Sequence, residues 1–576
     1  MAAGGEVPGW LLWLDQRTGW ITALRAIRDE HVPGGPRPAL ALGAALAFLL
    51  LAQLSSGLAL ALAYAPSSTS AWESVARLES TALGHLLRGL HAHGAELIIA
   101  IAALRVLASA MLGSYRAPRE VGWWAALLLL SAILAEALTG TLLPWDERGL
   151  AATQVSLSVA QSLPLAGHGL RRLFAGGPTL GNLTLARFYA LHAIALPLLV
   201  CALGAAWASS VRRHGFAAPP GLLPAQRNSR SPYWPRQALY DAAFSLLLLA
   251  GLTAWAAASG APLLAPADPS AASAARPAWY FTPFFELLKL LPGPLEPLAL
   301  FLPLSAFVLL AALPFIDRES AEPGEAGDGW ASRKPVALAL AGGLLAALGL
   351  SLAASVADAR DPEFQKRRAA AEERASVALR LARGGVPAEG ALWMVENQPH
   401  LRGQRLFERK CLACHRVGDR GAQVGPHLTG YLSKSWIKGA LLHPEADEYW
   451  GKSGIEGMLG VGALGEQRVQ LLVELVYALR DAPEGPQQIP PAMESGRKLF
   501  ESENCTRCHA LAPGERSLAP ILAGYGSDAW LRGLLQDAGA PGYYGVQNKM
   551  PAFEKELESQ QLDDLIAYLR TLEGSR

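Results

Sequence analysis

Charge is scarce in this chain. Asp, Glu, Lys and Arg make up 17% of its 576 residues. A soluble domain usually carries ~25%, so one large soluble enzyme is disfavoured. The two signs nearly cancel, 50 Lys+Arg against 49 Asp+Glu. No bulk attraction to nucleic acid follows from that balance. Cysteine is rare: five in all, an odd number in so long a chain. That excludes a disulfide framework and leaves each thiol to be explained singly. Methionine is rarer relative to the average, at six. No cleavable signal peptide is visible; residues 10–28 read as an amphipathic helix. What the chain does have is apolar bulk, 51% hydrophobic residues with a mean hydropathy of +0.21. Intrinsic disorder is thereby excluded.

The apolar residues are gathered before residue 360, in seven runs at roughly 38–65, 94–111, 121–143, 188–211, 238–259, 292–315 and 336–356. Each is near the ~20 residues a helix needs to cross a bilayer. The second is the weakest, because Glu96 and Arg105 lie inside it and are costly at mid-membrane. Four basic segments fall on one side of the seven: Arg17, Arg25, Arg28 and Arg37; Arg116 and Arg119; Arg212, Arg213, Arg227, Arg230 and Arg236; Arg318, Arg333 and Lys334. The positive-inside rule makes that side the cytoplasm and places everything after residue 360 outside a bacterial cytoplasmic membrane.

The tail changes character. Residues 361–396 form a charged Ala/Glu/Arg spacer, expected to be a solvated helix. Two small helical units follow at 397–482 and 492–576, parted by a Pro/Gln stretch. They repeat one another. Cys411-Leu-Ala-Cys414-His415 recurs 94 residues on as Cys505-Thr-Arg-Cys508-His509. Pro426, Gly430, Tyr431, Trp436 and Gly439 meet Pro520, Gly524, Tyr525, Trp530 and Gly533 at the same offset. C-x-x-C-H is the attachment motif of covalent haem c: two thiols bond one porphyrin and the adjacent His lies under its iron. A zinc site would want a second ligand pair. A redox dithiol would want a βαβ setting. Sixth ligands are expected downstream. Met550 lies 41 residues after His509, and Met458 lies 43 after His415. Leu459 follows Met458 where Pro follows Met550, so His427 and His443 compete for that role. The ordinary use of a Met is core filling. Each precedes an apolar-periodic closing helix, at 469–479 and 562–572. Cys201, the fifth thiol, reads as a buried apolar side chain.

Both units resemble class I cytochromes c. Residues 10–360 resemble cytochrome b of the quinol–cytochrome c oxidoreductases. The residues that carry this are Arg88-Gly-Leu-His91-Ala-His93-Gly94, Gly140-Thr-Leu-Leu-Pro144-Trp145-Asp146, Arg187-Phe-Tyr-Ala-Leu-His192 and Pro277-Ala278-Trp279-Tyr280. The expected fold is all-α: a cytoplasmic amphipathic segment (1–37), a four-helix haem-binding bundle (38–215) and a three-helix part with the quinol motif (216–360), ahead of the spacer and the two cytochrome c units. Spans five to seven look like the smaller half of the split, photosynthetic-type enzyme. The resemblance implies one bis-His haem b on His91 and His192. Arg88, Gly43, Gly57, Gly140 and Arg187 match residues that cradle the macrocycle. His93 faces elsewhere on its helix.

The family carries a second haem b, its ligands one position-set further along the same helices. Fourteen residues span about 21 Å and nearly four turns, which returns to the same face. Those positions here are Arg105 and Ala206, and a slip of one gives Leu104, Val106, Ala205 and Trp207. The matching glycine of the third span is Ala126. The cytoplasmic-side haem is therefore expected to be missing, with Trp207 filling part of its volume. An unusual ligand set with His214 or Cys201 is the alternative.

The quinol motif departs as well. The family has an acid where Ala278 stands, so the proton acceptor must come from elsewhere; Glu286 and Glu136 are the candidates. Asp241 matches a family acid at the cytoplasmic quinone site. The resemblance implies quinol oxidation at the outer face by Trp279, Tyr280, Glu286 and Pro144. It also implies a Rieske iron–sulfur partner, a downstream cytochrome c or terminal oxidase, and homodimerisation. Two other readings stay open: a non-catalytic membrane anchor for a dihaem cytochrome c, and a full quinone cycle with atypical ligation.

Overall fold

The computed structural model describes residues 8–163, 165–217, 231–269, 276–291, 295–317 and 334–574. Arg227, Arg230, Arg318 and Arg333 lie outside the described residues. Among those described the protein is all-α, with isolated bridges and no strand. It forms two compact units, Met1–Met394 and Val395–Arg576.

The first unit holds α1 (Ala41–Ala61), α2 (Ala82–Met111), α3 (Glu120–Leu142), α4 (Asn182–His214), α5 (Arg236–Ser259), α6 (Glu296–Ile316) and α7 (Lys334–Arg360). All but α6 are long and apolar enough to cross a membrane among the described residues, and α6 coincides with the remaining apolar run. The chain is thus a multi-pass membrane protein. Leu46, Leu49, Ile98, Ile101, Leu129 and Ile133 interlock α1, α2 and α3. Pro314 inside α6 has no N–H to give the Leu310 carbonyl. The Trp123 indole N–H of α3 supplies it at 2.8 Å, and Trp124 donates to Ala311 at 2.8 Å. Side chains of a neighbour thus satisfy backbone that water cannot reach.

Two features were hidden by hydropathy. α2 begins twelve residues before its apolar run, where the Thr81 hydroxyl accepts from the Gly84 N–H at 3.1 Å. α4 contains a π turn, Leu191–Ala195, which holds His192. A π turn accommodates one extra residue and so advances everything after it by one position.

The charged segment expected to be a solvated spacer is helix α8 (Pro362–Ala382), and only one face of it is solvated. Phe364, Ala371, Ala375 and Ala378 are buried. Arg374 makes a two-pronged ion pair, at 3.0 and 2.9 Å, with the buried carboxylate of Glu147. Small residues every three or four positions let the helix lie close to its support.

The second unit contains α9 (Pro399–Lys410), α10 (Lys434–Leu442), α11 (Glu466–Leu479), α12 (Glu494–Ser502), α13 (Asp528–Gln536) and α14 (Ser559–Thr571). Its helix pairs run between the repeats. α9, which leads into the first C-x-x-C-H, packs on α14, beyond the second; α12, which leads into the second, packs on α11. Glycine makes both crossings close. A Cβ on Gly403 would lie 1.9 Å from the Asp564 carbonyl oxygen, and one on Gly496 would lie 2.7 Å from that of Leu471.

Candidate functional site

His91 on α2 and His192 on α4 face each other across the half of the bundle expected to lie outward, ring centroids 6.1 Å apart. The Nδ1 atom of each is engaged. His91 meets the Ser56 hydroxyl at 3.1 Å; His192 meets the Glu136 carbonyl at 3.0 Å and the Glu136 carboxylate at 2.9 Å. That leaves Nε2 of both imidazoles for a metal, oriented by partners behind them. Two glycines make room. A Cβ on Gly57 would stand 3.0 Å from His91, and one on Gly140 2.7 Å from His192. Gln53 further pins the helix by donating to the His91 carbonyl at 2.9 Å.

These residues line a cavity of about 1090 Å³. Arg88, only 7% exposed, borders it and pairs with Glu79. The cavity continues to Pro144, Ala278, Tyr280 and Phe285. Trp279 points elsewhere, 46% exposed, and Glu286 is bound to Lys289 at 2.5 Å. Glu136 does line the cavity. Arg187 donates to the Arg172 and Leu173 carbonyls. His93 stacks on Trp255 at 3.9 Å and contacts the Gly260 carbonyl through Nε2 at 2.8 Å. Sequence reasoning missed the far wall: Phe364, Gln365 and Arg368 of α8 and Asp358 of α7 border the same cavity. Arg276 holds Asp358 there. The alanine spacing in α8 was the available signal.

The half expected to lie inward is built differently. Its void measures about 10 Å³, bordered by Leu46, Ala102, Arg105, Val106, Ala126, Leu129 and Trp207. The Trp207 ring fills the notch above Gly43, 3.1 Å from where a Cβ would be. Arg105 lies 5.5 Å from the Trp207 ring and donates to Ser109 at 2.8 Å. Trp207, not Ala206, takes the position opposite Gly43, because the π turn has advanced α4 by one residue. Asp241 accepts from Tyr233 at 2.6 Å and Gln237 at 2.7 Å.

The two C-x-x-C-H motifs are near copies in three dimensions. His415 Nδ1 lies 2.8 Å from the Pro426 carbonyl and His509 Nδ1 lies 2.8 Å from that of Pro520. An N–H donated there fixes the tautomer and leaves Nε2 bare. Burial lowers both imidazole pKa values, holding the rings in the neutral form that ligates metal. Burial also pushes the Cys411 thiol up to about 12. Asn548 bonds both the N–H and the carbonyl of Met550, which fixes the Met550 turn; Met458 is 38% exposed.

Family models match four stretches: "Cytochrome b(N-terminal)/b6/petB" over 96–283, "Cytochrome b(C-terminal)/b6/petD" over 266–355, "Cytochrome c" over 401–473 and "Cytochrome C oxidase, cbb3-type, subunit III" over 491–569. The "Menaquinol:cytochrome c reductase cytochrome b subunit" of Geobacillus thermodenitrificans is 37% identical over 216 residues, 36% of this chain and 96% of that protein. The protein of the same description from Bacillus subtilis is 36% identical over the same shares. The "Cytochrome bc complex cytochrome b subunit" of Chlorobaculum thiosulfatiphilum is 34% identical over 285 residues, 48% of this chain and 65% of that one. A solved structure, "Hyperthermophilic respiratory Complex III", shares the fold with a TM-score of 0.51 at 22% identity, covering 59% of this chain and 90% of its own.

Proposed function

The chain belongs to the cytochrome b family, and from that premise we propose that it is the membrane subunit of a quinol–cytochrome c oxidoreductase with one haem b and two tethered haems c. The observation that carries this reading is the contrast between the two halves of the bundle: a cavity of about 1090 Å³ between His91 and His192, against about 10 Å³ between Arg105 and Trp207. The outer residues fit a bis-His macrocycle, with glycines beside both ligands and Arg88 placed for a propionate. The inner residues do not fit one, since they offer no ligand and no volume. Haem bound at the outer site and at the two C-x-x-C-H motifs would supply one-electron transfer.

The chain's own groups do the rest. Apolar Pro144, Phe281 and Phe285 wall a quinol ring from water, and the Tyr280 hydroxyl orients it. Glu136 borders the cavity and is hydrogen-bonded to His192, and its carboxylate takes the role of the acid missing at Ala278. Without an inner haem, electrons leave outward to the cytochrome c units and no cytoplasmic-side quinone is reduced. The quinol side faces the exterior of a bacterial cytoplasmic membrane, and a Rieske protein, an acceptor cytochrome or oxidase, and a second copy of the chain complete the assembly.

Pyridine haemochrome analysis of the purified protein tests the count. One b per two c is expected, and two b per two c overturns the reading. Ala278 and the Glu286–Lys289 pair favour a second reading, a non-catalytic anchor for the dihaem part. Reduction of the c haems by added quinol in the assembled complex, blocked by an outer-site inhibitor, rejects it.

A further inference from the structure

We propose that each haem c pocket is built from both repeats: His415 shares its iron with Met550, and His509 shares its iron with Met458. This exchanges the partners that distance along the sequence suggests, and it rests on the reading that both C-x-x-C-H motifs carry covalent haem.

Three sets of contacts point to the exchange. Met550 packs against the core that contains Cys411, Phe407 of α9 and Leu428, which lies just beyond Pro426. That core also contains Leu531 and Leu535 of α13, Phe553, and Leu562, Leu565, Ile566 and Leu569 of α14. The second motif mirrors it. Cys505 packs with Leu499 and Phe500 of α12, but also with Leu441, Val461 and Leu464 and with Leu472 and Leu475 of α11, all from the first repeat. Val461 is three residues beyond Met458, and its N–H bonds to the Leu441 carbonyl at 2.9 Å.

The helix crossings say the same. Phe407 meets Tyr568 at 5.2 Å, Arg402 pairs with the buried Asp564 at 2.6 Å, and Lys410 pairs with Glu556 at 3.2 Å. Arg468 pairs with Glu503 at 2.5 Å on the other side. A proximal His and a distal thioether must face one iron from opposite sides. The segment that carries the thioether therefore has to lie over the same motif as the closing helix that follows it. α14 lies on α9, and α11 lies on α12, so the methionines cross with them. The two methionine loops also touch, where the Glu456 N–H donates to the Gln547 side chain at 3.1 Å.

The test uses the full chain with one motif disabled. In C505S/C508S, haem attaches only at Cys411 and Cys414, and intact mass counts it. In that background Met550→Ala should abolish the near-infrared band of methionine–iron ligation and lower the midpoint potential, while Met458→Ala leaves both unchanged. Loss of the band on Met458→Ala with retention on Met550→Ala overturns the exchange. A mass without haem instead overturns the reading beneath it. Should the single-haem variants misfold, a photo-crosslinking residue in place of Phe407 in the dihaem protein decides the same question. Capture of the 559–571 peptide is expected, and capture of 466–479 refutes the proposal.

Discussion

The outer and inner halves of the membrane bundle share helices α1 to α4 and differ in a few side chains. In the outer half, glycine stands beside each histidine and leaves the rings room. In the inner half, Gly43 has the same freedom, but Trp207 spends it. Arg105 stands where a ligand would, and Ala126 replaces the fourth glycine. The lesson is that a few side chains decide how much open space a pair of crossing helices keeps. An indole, a guanidinium stem and one methyl group leave a void of only about 10 Å³.

That comparison can be broken at either end. The largest effect is expected from His192→Ala, which removes one of two axial ligands: the haem b absorbance should vanish while both haems c remain. Survival of a full b spectrum would place the haem elsewhere in the chain. Trp207→Ala comes next. It leaves a large hole in the inner half and should destabilise the protein by roughly 3–5 kcal/mol, read as a lower melting temperature. The haem content should stay unchanged, because no ligand is created. A second haem b in this variant would mean that volume alone separated the two halves. The smallest effect is expected from Ser56→Ala. Losing the hydroxyl behind His91 is worth about 1 kcal/mol, visible as a modest shift of the b-haem potential without loss of haem.

Much of this was legible in the sequence because the physics behind it is local. Apolar runs announce spans, and Cys411–His415 and Cys505–His509 announce their chemistry through spacing. The histidine pair and the departures at Arg105 and Ala126 were visible for the same reason. The π turn at Leu191–Ala195 was not, since no residue type demands one, and it decides that Trp207 rather than Ala206 faces Gly43. The buried side of α8 was masked by its charge, although Ala371, Ala375 and Ala378 lie on one stripe.

The helix crossings were illegible for a different reason. Gly403-Gln-Arg-Leu-Phe407 and Gly496-Arg-Lys-Leu-Phe500 present the same face, and α11 and α14 answer with the same leucine spacing. Duplicated surfaces are interchangeable partners, so pattern alone cannot say which helix takes which.

That interchange has a consequence for how the protein is made. α9 precedes the first Cys pair, yet the helix that covers it, α14, follows the second. A growing polypeptide would keep the apolar seam of the first motif open until α14 has been made. That interval is set by the length of chain between α9 and α14, and it leaves Cys411 and Cys414 uncovered while the fold still waits for α14.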